Sequence, residues 1–200
     1  MIGAIAISGY LVFWLLFRLI AMQKSKPARV TRRSPWFTRI VLAYCFIFSA
    51  SFVVSNTWLV GDGYNENLVR LAIGIIIIVL ALISDAICLF SLSPFYSLEI
   101  GIKQDHAVIK SGLYRFVRHP IYFGNIVGFF GLCILMDSWA AWAALPAQVI
   151  GLFLMAREEE LFLISHLGKE YENYRSDVRW MLIPGLTIIS APNQQLKLTE

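Results

Sequence analysis

The stretch LVRLAIGIIIIVLALISDAICLFSL, residues Leu68–Leu92, carries only two charged side chains, Arg70 and Asp85. A helix needs roughly 20 predominantly apolar residues to cross a bilayer, and this segment is longer than that. The whole chain has the same character, because 58% of its 200 residues are hydrophobic, only 15% are charged and the mean hydropathy is +0.67. Soluble domains are about 45–50% apolar and about 25% charged. The composition therefore predicts an integral membrane protein.

Four further apolar segments surround this one: Ile2–Met22, Trp36–Val60, Ile121–Met136 and Ser138–Ala156. The lone Asp137 between the last two predicts a tight helical hairpin turn. No basic residue precedes the first segment and no A-x-A cleavage site follows it, which favours a retained span over a signal peptide. We expect an all-α integral membrane protein with about five transmembrane helices.

Basic residues indicate how these spans are oriented, because Lys and Arg accumulate in cytoplasmic loops. Of the 17 Lys and Arg residues, 14 fall after spans one, three and five, and Arg39 lies just inside the start of span two, on the same side. This leaves only Arg18 and Arg70. This asymmetry predicts a multi-pass protein with its N-terminus outside and its C-terminus in the cytoplasm. It also accounts for the net charge of +4 through the cytoplasmic loops and anionic lipid, without a nucleic-acid partner.

The three cysteines, Cys45, Cys88 and Cys133, all fall within predicted spans and form no C-x-x-C pair. They therefore predict neither a disulfide framework nor a metal site.

Polar residues divide the chain into three parts. Residues 1–92 are three spans with few polar groups, residues 93–184 hold most of the ionisable clusters, and residues 185–200 form a polar tail. Asp85 is expected to face the interior of the helix bundle.

The segment YRFVRHPIYFG, residues 114–124, ends a long cytoplasmic connection and begins the fourth span. Pro120 suits the first turn of a helix, and the residue before a proline avoids helical backbone. The amide groups of Ile121, Tyr122 and Phe123 should then lack intrahelical partners and, with the helix dipole, offer a site for an anion. The preceding stretch LEIGIKQDHAVI, residues 98–109, alternates apolar and polar residues and is expected to be extended or irregular.

The second polar cluster follows span five, where helical spacing continues through Leu161, Ile164, Leu167 and Tyr171. We expect span five to continue into an amphipathic cytoplasmic helix that Gly168 weakens. The consecutive Glu158, Glu159 and Glu160 point in directions about 100° apart. We expect Glu159 to turn toward the bundle, with Glu158 and Glu160 on a solvated face. A carboxylate near an anion site indicates a zwitterionic ligand.

Two blocks of sequence resemble a known family. HAVIKSGLYRFVRHPIYFG (residues 106–124), followed by EEEL, LGKEYENY and VRWMLIP (within residues 158–184), is similar to the isoprenylcysteine carboxyl methyltransferases, whose wider group includes the phospholipid N-methyltransferases. The resemblance covers roughly residues 92–184. It implies an S-adenosylmethionine-dependent methyltransferase within the membrane, without a Rossmann domain. Its cofactor site would be formed by the loop between spans three and four, the start of span four and the helix after span five.

Carried over residue by residue, the resemblance assigns cofactor contacts to eleven positions: Glu99, His106, Ala107, Val108, Ile109, Tyr114, His119, Pro120, Ile121, Tyr122 and Glu159. The amides after Pro120, with His119 and Arg118, suit the carboxylate of S-adenosylmethionine. Glu159 suits its ammonium group or a ribose hydroxyl. The rings of Tyr114 and Tyr122 suit its sulfonium or adenine.

The residues expected near the reaction are Arg118, Arg157, Tyr171 and Tyr174. The prenylcysteine enzymes place a substrate-contacting arginine four residues before the cofactor glutamate, whereas this chain has Met155 there. Arg157 is basic but lies on a different helical face. Tyr171 and Tyr174 can alternatively be read, with Trp180, as an interfacial aromatic belt.

The leading prediction is therefore carboxyl O-methylation of a prenylcysteine-like group, with a lipidic substrate, no metal and no nucleic acid. Phospholipid or other lipid N-methylation is the first alternative. The second is an NADPH-dependent membrane sterol or enone reductase, whose C-terminal half shares a distant likeness. A non-enzymatic membrane module is the third, and the oligomeric state stays open.

Overall fold

The computed structural model describes residues 2–31, 67–97, 100–137 and 139–185 of the chain. This described part is mostly helical, which confirms the all-α class predicted from the sequence. Its helices are α1 (Ile2–Gln23), α2 (Leu68–Leu92), a 3-10 helix (Gly112–Arg115), α3 (Pro120–Met136), α4 (Trp139–Leu167) and α5 (Lys169–Asp177). Two short strands, β1 (Ala28–Thr31) and β2 (Gly101–Lys103), pair in an antiparallel arrangement.

Four of the five predicted spans fall on described residues, apart from Ser138 at the start of the fifth, and these described residues are helical. The remaining one, Trp36–Val60, lies outside the described residues. In the described part of the chain, α2 is long and apolar enough to cross a membrane by length and composition, and α3 is a shorter apolar helix. Helix α2 has the predicted bounds because Asn67 caps its start, where Oδ1 of Asn67 accepts hydrogen bonds from the amides of Val69 and Arg70.

Two sharp changes of backbone direction set the ends of α3 and α4. Asp137 closes α3 in a left-handed conformation (φ 46°), which confirms the predicted hairpin turn. Helix α4 continues without interruption past Ala156 to Leu167, and Gly168 (φ 53°) ends it before α5 begins. The prediction that the helix of span five continues past Ala156 is therefore confirmed, and Gly168 ends that helix rather than merely weakening it.

Helices α2 and α3 run antiparallel and pack closely through small residues. A Cβ on Gly131 would lie 2.9 Å from Cγ1 of Ile78, and a Cβ on Gly74 would lie 3.1 Å from the carbonyl oxygen of Gly131. A Cβ on Gly124 would overlap the carboxylate of Asp85. These glycines let the two backbones approach as small residues do between membrane helices.

Helix α1 lies parallel to the second half of α2, so the C-terminal ends of both helices reach the start of α3. The rings of Phe17 and Phe90 are 6.5 Å apart, and the amide of Lys26 donates to the carbonyl oxygen of Pro94 at 2.8 Å. Beyond α1, strand β1 pairs with β2, which belongs to the connection between α2 and α3. Apart from β2, described residues 100–109 of this connection are irregular, as the sequence predicts, and the 3-10 helix follows at Gly112–Arg115.

Candidate active site

A cavity of about 240 Å³ opens where the ends of these helices meet. Its walls come from α1 to α5 and from the connection between α2 and α3. Ten of the eleven residues predicted to contact a cofactor line it: His106, Ala107, Val108, Ile109, Tyr114, His119, Pro120, Ile121, Tyr122 and Glu159. The eleventh, Glu99, lies outside the described residues. Residues that are up to 53 positions apart in the sequence thus share one concave surface, which is the usual form of a small-molecule site.

The segment before α3 is held by the chain that follows α5. The amide of Arg118 donates to the carbonyl oxygen of Trp180 at 2.9 Å, and the amide of His119 donates to that of Met181 at 3.0 Å. Helix α3 then begins at Pro120, as predicted. The amides of Ile121, Tyr122 and Phe123 were expected to lack intrahelical partners. This was wrong for Phe123, whose amide donates to the carbonyl oxygen of His119 at 3.1 Å. The anion site predicted at this helix start is therefore limited to the amides of Ile121 and Tyr122.

Glu159 lies beside the start of α3, as expected. Its Oε2 accepts a hydrogen bond of 2.8 Å from the hydroxyl of Tyr122 and lies 3.6 Å from Nδ1 of His119. The His119 and Tyr122 rings are stacked, with centroids 5.4 Å apart and planes inclined by 3°. The Glu159 side chain stays 30% exposed on the cavity wall, so the carboxylate is held in place and still accessible to a ligand.

The structure corrects the expectation that Glu160 is solvated. Glu160 is buried, and its carboxylate lies 2.5 Å from Nε of Arg118, 3.4 Å from Nε2 of His119 and 3.4 Å from Nε of Arg175. Burial raises the pKa of Glu160, but the hydrogen bonds and charges of His119 and Arg118 outweigh it and lower that pKa from 4.5 to about 2. Glu160 is therefore an ionised anchor within the protein.

Arg118 lines the cavity, but its guanidinium group is fully engaged on the side facing the protein. In addition to Glu160, Nη1 donates to the carbonyl oxygens of Val178 and Arg179 at 2.7 and 2.9 Å. These contacts fix the position of the neighbouring His119 and Pro120. Arg118 thus lies at the cavity, where the sequence places it, and its predicted role near the reaction stays a prediction.

Arg157, the other arginine expected near the reaction, is exposed and does not line the cavity. It lies two positions before Glu159, about 200° around α4, so both side chains cannot face the same side. Met155, one turn before Glu159, does line the cavity. The wall therefore has an apolar group at the position where the resemblance leads one to expect a cation.

Tyr171 and Tyr174 both line the cavity, with ring centroids 5.7 Å apart. The hydroxyl of Tyr174 donates to the carbonyl oxygen of Tyr114 at 2.7 Å, which ties α5 to the 3-10 helix. Burial, with added repulsion from Glu160, raises the pKa of Tyr171 well above its usual value, so its phenol stays neutral. Tyr114 itself has a buried hydroxyl with no hydrogen-bond partner among the described residues.

The loop side of the cavity is held by His106. Its Nδ1 accepts a hydrogen bond of 3.3 Å from the amide of Lys103, and its ring lies 4.7 Å from that of Phe95. Burial lowers the pKa of His106, although Glu170 partly opposes this, and the neutral ring agrees with its role as an acceptor. The amide of Val108 donates to Glu170 at 3.2 Å, which joins the loop to α5.

Sequence reasoning missed a polar group on the opposite wall. Arg18 of α1 and Asn125 of α3 both line the cavity, and Nη2 of Arg18 donates to Oδ1 of Asn125 at 3.2 Å. Asp85 faces the bundle interior, as expected, and both terminal nitrogens of Arg18 lie 3.4 Å from its Oδ2. The signal available in the sequence was that Arg18 and Asp85 are charged residues inside apolar segments, which need partners.

The described residues thus form an apolar helical bundle with a polar cavity at one end. The walls of this cavity include two sequence motifs that are far apart in the chain. Residues 73–165 match the model of the isoprenylcysteine carboxyl methyltransferase (ICMT) family. This match confirms the resemblance drawn from the motifs.

Individual relatives carry two kinds of name. The chain is 29% identical over 92 residues to a protein-S-isoprenylcysteine O-methyltransferase of Dictyostelium discoideum, and 34% identical over 77 residues to that of Schizosaccharomyces pombe. These matches cover 42% and 38% of this chain but only 35% and 32% of the relatives, so the chain spans about a third of their length. A methanethiol S-methyltransferase of Pseudomonas sp. is 28% identical over 194 residues, which cover 87% of this chain and 73% of the relative.

Proposed function

We propose that this chain is a membrane-embedded methyltransferase that uses S-adenosylmethionine and methylates a lipidic acceptor, with carboxyl O-methylation of a prenylcysteine-like group as the leading reaction. The observation that carries the proposal is the shared cavity. Loop residues 106–109, the start of α3 and Glu159 are separate in sequence, yet they line one surface. The family match over residues 73–165 includes all three elements.

The chemistry of the cavity fits the proposed cofactor. Tyr114 contributes a buried hydroxyl without a partner among the described residues, and Glu159 contributes an accessible carboxylate. Glu159 would hold the ammonium group or a ribose hydroxyl, and the amides of Ile121 and Tyr122 would hold the carboxylate. When bound, S-adenosylmethionine supplies a methyl group on a positively charged sulfur. Transfer of that methyl group to a carboxylate cancels opposite charges and needs no base.

The protein's own task is then to position groups and exclude water. Tyr122 and His119 hold Glu159 against the cavity wall, and the Arg118–Glu160 pair fixes the segment that carries His119. Apolar residues of α4, Leu152, Met155 and Leu163, line the same cavity and lower its polarity. A dry, preorganised site favours a step in which charges are neutralised.

We infer a cytoplasmic location for this cavity in a five-span protein with its N-terminus outside. The C-terminal ends of α1 and α2 and the start of α3 meet at the cavity. The basic residues that follow these ends, such as Lys24, Lys26 and Lys103, lie on the same side of the bundle. This arrangement agrees with the preference of basic loops for the cytoplasm.

A small thiol acceptor is the second candidate, because the alignment with the methanethiol S-methyltransferase covers 87% of the chain. Radiolabelled methyl transfer distinguishes the two candidates. Purified protein would be offered an S-prenylated N-acetylcysteine or methanethiol in separate reactions. A base-labile methyl ester supports the leading proposal, whereas a volatile thioether supports the second.

The cofactor assignment is tested by calorimetry of S-adenosylmethionine binding to the full chain in detergent. We expect Glu159→Gln and His119→Ala each to weaken binding at least about tenfold, or about 1.4 kcal/mol. Glu158→Gln is the matched control, since Glu158 does not line the cavity, and it should leave the affinity unchanged. A folded wild-type protein that does not bind S-adenosylmethionine would refute the assignment, and NADPH would be tested next.

A further inference from the structure

The segment between β2 and the 3-10 helix forms one wall of the cavity without regular secondary structure of its own. Residues 106–109 line the cavity, and residues 106–110 form neither helix nor strand. The chain turns at both ends of this segment through left-handed residues, Asp105 (φ 50°) and Gly112 (φ 61°). Because its backbone amides lack the regular partners of a helix or sheet, the position of the segment depends on contacts with neighbouring elements.

Helix α5 supplies such a contact near the middle of the segment. The amide of Val108 donates to Oε1 of Glu170 at 3.2 Å. The side chain of Val108 packs against the buried cluster that contains Tyr171 and Tyr174. A hydrogen bond to a carboxylate is stronger than one to a neutral acceptor. Glu170 is exposed and does not line the cavity, so its effect on a ligand would pass through the segment that it holds.

Helix α5 is fixed in turn, which gives Glu170 a rigid base. The hydroxyl of Tyr174 donates to the carbonyl oxygen of Tyr114 at 2.7 Å, and Nε of Arg175 lies 3.4 Å from Oε2 of Glu160. Both contacts lie about one helical turn after Glu170. A hydrogen bond from the segment to this helix therefore fixes the segment relative to the other walls of the cavity.

The charge of Glu170 acts on a second residue of the segment. It raises the pKa of His106, although burial lowers that pKa more strongly. His106 and Val108 are both predicted cofactor contacts, so two of the four loop positions lie within the influence of one carboxylate. The family match ends at residue 165 and does not include Glu170, and the motif resemblance gives Glu170 no role.

We propose that Glu170 is a positioning residue that holds residues 106–109 in the conformation that binds the methyl donor. This inference rests on the proposed methyltransferase function. A loop that is ordered before the ligand arrives loses less conformational entropy on binding, so the same contacts give a higher affinity. Glu170 acts as a hydrogen-bond acceptor in this role. Glutamine offers an acceptor oxygen at the same position, whereas alanine offers none.

Two measurements on the full chain in detergent test the proposal. The first is hydrogen exchange without ligand, followed by mass spectrometry of peptides that cover residues 104–111, and the second is calorimetry of S-adenosylmethionine binding. We expect Glu170→Ala to exchange these loop amides about fivefold faster than the wild type and to bind S-adenosylmethionine about fivefold more weakly. Exchange in α2 and the thermal transition should not change. Glu170→Gln should stay within about twofold of the wild type in both measurements.

Glu172→Ala is the matched control. Glu170 and Glu172 both lie in the first turn of α5, so each substitution removes one negative charge beside the start of the same helix. The Glu172 side chain does not line the cavity and makes no hydrogen bond to residues 106–110 among the described residues. This variant should keep the wild-type exchange and the wild-type affinity for S-adenosylmethionine.

Three results would overturn the proposal. The first is wild-type exchange of the loop amides in Glu170→Ala, because the carboxylate would then not hold the loop. The second is wild-type affinity for S-adenosylmethionine in that variant. The third is a Glu170→Gln variant as weak as Glu170→Ala, which would assign the effect to charge rather than to the hydrogen bond. Failure of the methyltransferase function is seen separately, as absence of S-adenosylmethionine binding by the wild type, and the exchange measurement needs no ligand.

Discussion

Replacing Glu160 by Gln tests the buried ion cluster of Glu160, Arg118, His119 and Arg175, which borders the proposed cofactor site. The Glu160 side chain keeps the Arg118 guanidinium in place through contacts of 2.5 Å at Nε and 3.4 Å at Nη2. Arg118 in turn holds the segment that carries His119. Because glutamine has nearly the same shape as glutamate, the substitution removes the charge and leaves the packing almost unchanged.

The expected magnitude follows from the lowered pKa. Burial alone would raise the pKa of Glu160, but His119 and Arg118 lower it from 4.5 to about 2, and one pKa unit corresponds to about 1.4 kcal/mol. The ionised carboxylate therefore contributes about 3 kcal/mol to the free energy of unfolding. Since the folded-state pKa lies below the unfolded one, this contribution is fully present above about pH 4.5 and is lost as the pH falls toward about 2.

The assay is unfolding of the full chain in detergent, followed by circular dichroism at pH 7 and at several pH values between 4.5 and 2. At pH 7, Glu160→Gln should lower the free energy of unfolding by about 3 kcal/mol relative to the wild type. That difference should shrink as the pH falls through the interval. Glu172→Gln, on α5, removes a carboxylate with no partner in the buried cluster and should change stability by less than about 1 kcal/mol.

Two outcomes would refute this reasoning. A loss below about 1 kcal/mol at pH 7 would mean that the Arg118–Glu160 pair only offsets its own desolvation, as buried ion pairs often do. A large loss that stays constant from pH 7 to pH 2 would mean that altered packing, and not charge, destabilises the variant. S-adenosylmethionine affinity measured on the same samples then shows whether the cluster also positions the proposed binding site.

Two further substitutions test the packing around the site. Gly131→Ala should lower the free energy of unfolding by about 1–3 kcal/mol, because its Cβ would lie 2.9 Å from Ile78. Gly9→Ala is the control, since its Cβ would enter open space among the described residues and should not destabilise the protein. Thermal melts in detergent compare the stability of the two variants. Tyr174→Phe should cost about 1–2 kcal/mol in the same assay, because it removes the 2.7 Å hydrogen bond to the buried carbonyl oxygen of Tyr114, and a change within error would show that this bond does not hold α5.

The helices could be predicted because each depends on local sequence. Length and hydrophobicity define α2, and Asn67 provides a cap at its start, so the predicted and observed bounds of Leu68–Leu92 agree. Pro120 marks a helix start by its own backbone preference, as predicted. Gly168 was expected only to weaken its helix, and a left-handed backbone at this glycine ends the helix instead. The cavity-lining positions 106–109 and 119–122 were predicted from the family motifs, and the structure brings them together.

The assignment of Glu160 failed because it depends on a distant residue. Three consecutive glutamates on one helix point in three directions, and the sequence cannot show which of them faces Arg118, 42 residues away. The resemblance led to Glu159 alone, so the next residue was left on the solvated face. The structure uses both carboxylates, Glu159 on the cavity wall and Glu160 behind it, because successive side chains are about 100° apart around the helix.

The Arg18–Asp85 pair shows that the partner of a charged residue inside an apolar segment is found from the structure and not from the sequence. Each residue alone predicts only that some opposite charge must compensate it, and the sequence offers several candidates for each. The structure joins them across 67 positions and places Arg18 on the cavity wall. It also shows that Glu160 and two carbonyl oxygens engage Arg118, and that Arg157 is exposed away from the cavity. None of these long-range contacts can be read from the sequence, because each depends on how separate helices pack.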